Sequence, residues 1–473
     1  MSRLFVFCIW GFWLVAGDDP AVYRYAVPLT ERTYNGEWEA VFEFSALKKT
    51  DLHFNLVGYD AYGLSVWSEL NQELGLERVY SKRVPARKQE TLQSLFLESD
   101  QPVKGLLWMH NVVTGQINAV FISESRSTTL GVPHIPRNYL LWKSSLAAVG
   151  TTQGVKNGSV FLGYYTDRGG AIKDELVEAN AFNHAYVRRT PNVDVLIGGL
   201  ASSTPPVWGA MHASEGYNLT GFQTFSRQDG NLQTAAVEME GNGGTAQGQI
   251  FWPIPGSPLQ AVVLANPNPD PANVVVAMSR LVIDETGLRS LVKSSASLQL
   301  EAGKNTVLFP ESILFAAESG APVSFEYSAV DGEGEPLPIY AYRFAYGQGE
   351  VGMGSDRFSS VSAEVSGWLD FSSGFEREVL IANTSDQLLN CKFSFSFENT
   401  VGLTYYERFE PGEIKRIDRS KLLLQLGSET LPQEGWVSLQ VTQETDSGSE
   451  IPALLAVYFA QTEKDFALVT FAP

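Results

Sequence analysis

Apolar and polar side chains alternate through residues 52–57, LHFNLV, the period of a strand with one face buried and one wet. The stretch GLLWMH at 105–110 alternates less cleanly, as a strand with little water on either face should. From 142 to 226, the blocks WKSSLAAVG, SVFLGYYTDRGG and VWGAMHASEGYNLTGFQTFS are short, rich in β-branched and aromatic residues, and punctuated by Gly, Asn and Asp. Gly tolerates positive φ and Asp or Asn bonds its own following backbone, so these residues mark turns. The pattern predicts an all-β chain. Helix is expected only as short excursions at 69–76, 174–182 and 311–315.

The same order of blocks returns along the chain. Trp142 stands 104 residues after Trp38, each heading a similar block, and Trp368 opens a fourth. Asn383 follows Asn266 by 117 residues. Asp-x-x-Gly turns follow strands at 60–63 and 284–287, with Asp-Arg-Gly at 167–169. EPGEIKRID at 410–418 echoes EAGKNTVLF at 301–309. Units of roughly 105–117 residues exceed the ~20–50-residue periods of solenoids and propeller blades. They match antiparallel β-sandwiches, in which two sheets bury their alternating faces against each other.

The expected organisation is an extended lead-in at 18–37 followed by four immunoglobulin-like β-sandwich repeats at 38–132, 133–244, 245–360 and 361–473. GNGG at 241–244 is expected as a flexible boundary. The final DFALVTFAP is expected to pair with a neighbouring sheet. An eight-bladed or otherwise closed barrel arrangement is the alternative architecture.

Composition narrows the picture. Single cores stop growing near ~250–300 residues, so a chain of 473 should hold at least two domains. A hydrophobic fraction of 44% against 18% charged argues for packed cores over disorder. The formal net charge of −19 disfavours nucleic acid and anionic membrane surfaces as partners, because both need clustered Lys and Arg.

Residues 1–17 have the pattern of a secretory signal peptide: Arg3, an apolar run at 4–16, small Val15 and Gly17, then Asp18 and Asp19. That run is short of the ~20 residues a spanning helix needs, and no later stretch approaches a membrane span. Removal of the signal would take Cys8 and leave Cys391 without a disulfide partner. Exported chains without disulfides are commoner in bacteria, so a periplasmic or extracellular bacterial location is expected.

The order W-x-(S/T)-x-L-x-x-V-N-P, then D-x-x-G, then G-F-x-x-F resembles the tandem repeats of exported bacterial proteins that mostly carry no assigned activity. The matching residues are Trp142, Ser144, Leu146 and Val149; Asn266 and Pro267; Gly221, Phe222 and Phe225. PHIPRNYLLW at 133–142 looks like the lead-in to such a unit. The first unit lacks the Asn-Pro pair and the third lacks the opening Trp. The resemblance brings no catalytic residues.

Candidate chemistry is sparse. His53, His110, His134, His184 and His212 are scattered, with no pair three or four residues apart, and no metal or cofactor is expected. His110 and His212 are placed in equivalent closing strands. Acidic turns at 331–335 and 446–450 lack the D-x-D-x-D-G order of a calcium loop. Ser290 and Lys293 form an S-x-x-K without its partner motifs, and no G-x-S-x-G or H-E-x-x-H is present.

Aromatic residues are the remaining candidates. Tyr164, Tyr165, Trp208 and Tyr217, with Tyr405 and Tyr406, could stack on sugar rings or a protein partner, or fill cores. Tyr217, in a short connection, is expected to be the most exposed. The resulting expectation is an exported, non-enzymatic array serving as a structural, spacer or adhesive module. A carbohydrate- or ligand-binding protein is the alternative, and a hydrolase with a site at an inter-domain groove the second. The partner class is a cell-surface protein or glycan.

Overall fold

The computed structural model describes the chain except residues 1–21, 30–37, 47–49, 61–62, 76–77, 85–91, 123, 125–126, 133, 137–141, 153–157, 167–170, 181–183, 190–205, 215–216, 228–233, 253–259, 311–320, 347–352, 372–375, 398–399, 427–435, 445–450, 462–464 and 471–473. The expected signal peptide, the 167–169 turn, the 311–315 excursion and the 446–450 loop lie outside the described residues.

Among the described residues, strands fall in chain order into four sets of eight. The sets run from β1 (Tyr23–Pro28) to β8 (Ile117–Ile122), β9 (Thr129–Val132) to β16 (Thr234–Glu238), β17 (Gln247–Phe251) to β24 (Met353–Arg357), and β25 (Glu364–Asp370) to β32 (Phe466–Thr470). Numbered within a set, strands 1-6-3-4 form one antiparallel sheet and 5-2-7-8 the other, and all four sets share this order. Two boundaries therefore move. The lead-in carries β1, which pairs with the sixth strand of its set. Residues 129–132 form β9, paired to β14 (Pro206–Ala213), so they belong to the second set.

Two of the three expected helical excursions are strands, and a helix among the described residues lies elsewhere. Residues 69–74 lie in β4 (Ser65–Leu74), paired along β3 (Leu52–Tyr59). Residues 174–180 lie in β12 (Ala171–Asn180), paired along β11 (Gly158–Thr166). Their Glu- and Leu-rich sequences favour helix locally, but a neighbouring strand with open backbone groups overrides that weak preference. The helix α1 (Arg419–Leu426) is capped by Asp418, whose Oδ1 accepts from the Lys421 N–H at 2.7 Å.

Each set is a sandwich, and both faces of its 5-2-7-8 sheet are apolar. In β31 (Leu454–Gln461), Leu454, Ala456, Tyr458 and Ala460 enter the fourth sandwich's own core. The intervening Leu455, Val457 and Phe459 pack with Phe251 and Ala345 of the third. In β18 (Gln260–Ala265), Val262 and Leu264 likewise face inward, while Ala261, Val263 and Ala265 pack against Trp208, Phe225 and Val237 of the second sandwich. Ala147, Phe222 and Ala236 of the second join the core of the first. Val41, Leu106, Trp108 and Ala119 of the first join the core of the fourth. Each sandwich therefore sits with its inner sheet on the preceding one, and the first sits on the last.

The result is a closed ring. The eighth strands meet around its middle: β8 lies beside β16, β16 beside β24, β24 beside β32, and β32 beside β8. The apolar run of β7 (Val103–Asn111) reflects this burial on both faces. The 1-6-3-4 sheets face outward, and β3 keeps its one-for-one alternation of buried and wetter positions. The C-terminal β32 pairs with β31 of its own sheet, in contrast to the pairing expected with a neighbouring sheet.

Candidate functional site

The repeated motif residues are structural. Asn266 and Asn383 are fully buried, and each holds the turn after its strand. Asn266 Nδ2 donates to the carbonyls of Asp270 and Leu300 at 2.8 and 3.0 Å, and its Oδ1 accepts from the Asn268 N–H at 3.0 Å. Asn383 repeats this with the carbonyls of Gln387 and Glu410 and the N–H of Ser385. Ser144, Leu146, Val149, Phe222 and Phe225 are buried, and Ser144 Oγ accepts from Gln223 Nε2 at 2.5 Å. Trp142 heads β10 (Trp142–Thr152) as Trp38 heads β2 (Trp38–Ala46), whereas Trp368 lies one strand earlier, in β25. Trp368 is thus not their counterpart.

The aromatic platform is not on the surface. Tyr217, Trp208 and Tyr164 are 0%, 0% and 2% exposed. Tyr217 begins β15 (Tyr217–Arg227) and fills the second core with Tyr164, because the first residue of that strand faces inward. Trp208 packs in the seam with the third sandwich and donates through Nε1 to the Gly303 carbonyl at 2.8 Å. Tyr165 is half-buried and stacked on Trp208 at 4.3 Å. Tyr405 is half-buried and stacked on Phe393, which leaves Tyr406, 65% exposed, as the open ring of the six.

The other sequence candidates separate in space or are occupied. His110 lies in β7, a seventh strand, and His212 in β14, a sixth. Sixth and seventh strands belong to opposite sheets, so the two histidines are not equivalent. Ser290 and Lys293 share β20 (Arg289–Leu300), where a spacing of three puts them on opposite faces, and Lys293 pairs with Glu326. Asp331 Oδ1 accepts from the N–H groups of Glu333 and Glu335, both at 2.9 Å, so this carboxylate holds a turn. Among the described residues, no group of three His, Cys, Asp or Glu side chains could hold a metal ion. GNGG forms a packed turn: Gly244 (φ 90°) donates to the Gly241 carbonyl at 3.0 Å, and a Cβ on it would fall 2.1 Å from the Ile339 carbonyl oxygen.

Polar side chains instead concentrate where the ring closes. Glu43 of the first sandwich is fully buried and accepts three charge-assisted or indole bonds. Arg377 Nη1 donates to its Oε1 at 2.5 Å, and the Trp108 and Trp368 indoles donate to its Oε2 at 3.2 and 3.1 Å. The Arg377 guanidinium lies over Trp108 at 4.6 Å. Burial pushes the Glu43 carboxyl above the usual range, against the pull of Arg377. Around this pair, Ser81 donates to Asp370 Oδ2 at 3.0 Å, and Asp465 Oδ2 accepts the Ile117 N–H at 3.2 Å.

A cleft of about 450 Å³ opens beside this seam, lined by Asp370, Phe371, Arg377, Glu378, Arg416, Asp418, Arg419, Ser420, Phe459 and Gln461. Arg377 and Glu378 are consecutive on β26 (Glu376–Asn383), so they point to opposite faces. Arg377 turns to Glu43, and Glu378 to Arg416 of β29 (Ile414–Ile417), with Nε and Oε2 2.8 Å apart. Arg419, at the start of α1, sits over the Phe371 ring at 5.2 Å. No aromatic or histidine pattern in the sequence pointed here; the signal available was RID-R at 416–419, three charges crowded between a strand and a helix.

A second buried carboxyl lies between the second and third sandwiches. Glu240 Oε2 accepts the Ala341 N–H at 3.4 Å, and the Glu240 N–H donates to the Tyr342 hydroxyl at 2.9 Å. Burial pushes this carboxyl up to about 7, although Arg357 and the Ala341 N–H pull it down. Arg357 and Asp356 are neighbours on β24 that face opposite ways. Arg357 lies 3.4 Å from Glu238 of the second sandwich, and Asp356 pairs with Arg343 and accepts from Thr470 of the fourth.

No family model matches the chain, and no curated protein matches it. Among the described residues, no helix is long and apolar enough to cross a membrane.

Proposed function

We propose that this is an exported, non-enzymatic bacterial protein, periplasmic or extracellular, that acts as a rigid structural or adhesive body. The observation that carries this reading is the use of its polar residues. Asn266, Asn383 and Asp331 hold turns, while Glu43 and Arg377 hold the ring shut. Ring closure favours a compact body over an extended spacer, because each inner sheet is covered by the preceding sandwich. A test is to couple the mature chain to beads and measure their retention on intact bacterial cells and on purified envelope. Retention above uncoupled beads is expected. Absence of retention, together with turnover of ester, peptide or glycosidic model substrates, would overturn the reading.

A ligand-binding reading has one observation in its favour, the cleft at the fourth sandwich. Its volume of about 450 Å³ falls within the ~300–1,000 Å³ of small-molecule sites.

A further inference from the structure

The geometry points to a neutral, polyhydroxylated ligand, a sugar of one or two rings, as the occupant of the cleft beside the closure seam. This rests on the non-enzymatic reading above and adds to it a ligand class.

Charge decides against an anion. Three guanidinium groups, of Arg377, Arg416 and Arg419, line the cleft with three carboxylates, of Asp370, Glu378 and Asp418. Arg377 is paired to Glu43 and Arg416 to Glu378. A phosphate or carboxylate ligand would meet as many negative groups as positive ones, and would have to compete with pairs already made. A cation faces the same balance with the sign reversed.

Hydroxyl groups suit this lining. Each ligand hydroxyl both donates and accepts, so it can bridge a guanidinium N–H and a carboxylate oxygen without breaking the ion pair between them. Ser420 and Gln461 add a hydroxyl and an amide that can each do both as well. Phe371, half-buried at the cleft wall, supplies apolar surface for the C–H face of a ring, the usual complement to a few well-placed polar groups.

The site also depends on ring closure. Arg377 and Asp370 are held by Glu43 and Ser81, both from the first sandwich, so the cleft takes its shape only when first and fourth sandwiches meet.

The test is titration of the mature full-length chain with glucose, galactose, mannose, N-acetylglucosamine, cellobiose and lactose, followed by calorimetry and ligand-observed NMR. Glucuronate and inorganic phosphate serve as anionic probes. At least one neutral sugar should bind saturably, and Arg419→Ala and Gln461→Ala should each weaken it about tenfold or more. Lys293→Ala, on the third sandwich, should leave it unchanged. No saturable binding by any neutral sugar, tighter binding of glucuronate or phosphate, or indifference to both cleft variants in folded protein would overturn the assignment. Release of monosaccharide from cellobiose or lactose would instead overturn the non-enzymatic reading, with the location of the site intact.

Discussion

Arg377 of the fourth sandwich bonds Glu43 of the first across 334 residues of chain, with Nη1 and Oε1 2.5 Å apart. Neither side chain reaches water to any useful extent, at 3% and 0% exposure. Removing one partner leaves the other charged in a dry seam, a loss of about 3–5 kcal/mol. Glu43→Ala should lower stability by that order in urea unfolding. Joint replacement by Glu43→Leu and Arg377→Met should recover part of it only, because the Trp108 and Trp368 indoles lose their acceptor.

Glu240 sets a pH dependence. Its carboxyl titrates near 4.5 in the unfolded chain and about 7 in the fold. Between those values the folded state keeps a proton that the unfolded state has lost, so stability falls as pH rises from about 4.5 to about 7, and levels off above. The drop is on the order of 3 kcal/mol. Glu240→Gln should flatten that part of the profile and be the more stable protein at pH 8, measured by denaturant midpoints across the range.

Asn266 and Asn383 make the same bonds in two different sandwiches. Replacing either with Ala strands buried carbonyls and should cost about 2–3 kcal/mol. The two share no partner, so the double variant should show the sum to within about 0.5 kcal/mol. A larger discrepancy would mean that the third and fourth sandwiches communicate through their shared seam.

Gly244 and Gly287 both hold positive φ, at 90° and 85°, but differ in surroundings. A Cβ at Gly287 meets nothing within 4 Å, whereas one at Gly244 falls 2.1 Å from the Ile339 carbonyl oxygen. Gly287→Ala should therefore cost only the left-handed backbone term, about 1–2 kcal/mol. Gly244→Ala should cost clearly more, since backbone must shift between the second and third sandwiches. Thermal unfolding of the two variants separates strain from collision.

Cys391 lies fully buried in β27 (Leu389–Phe397), and burial pushes its thiol up to about 12. It should resist a thiol-specific dye in native protein and react within the unfolding transition, at a rate that reports on opening.

Much of the frame was legible from the chain. The alternation of LHFNLV marks β3, and the unbroken apolar run of GLLWMH marks a strand covered on both sides, as β7 is. The turn echo between EAGK and EPGE holds in detail: Lys304 and Glu413 donate backbone N–H to Glu301 and Glu410 alike, with Gly303 and Gly412 at φ 68° and 66°. What covers the second face of β7 was not legible, since the partner strand lies in the last quarter of the chain. The same ambiguity misplaced the aromatics. A Tyr or Trp in a β-rich chain reads alike in a core and on a surface, and only the partner sheet decides. The cleft escaped for a related reason: its charged lining comes from several elements, brought together only when the fold closes.

The head-to-tail seating of the four sandwiches makes their number part of the fold. Each offers one apolar face and receives another, and such unlike surfaces close into a cycle only when the rotation per step fits. An open stack would need polar end-modules to keep its terminal faces soluble. Here the last module does that duty for the first. Excising one module would bare two complementary oily faces with no way to meet inside the same molecule. The shortened protein should then polymerise into filaments, visible as a concentration-dependent rise in light scattering.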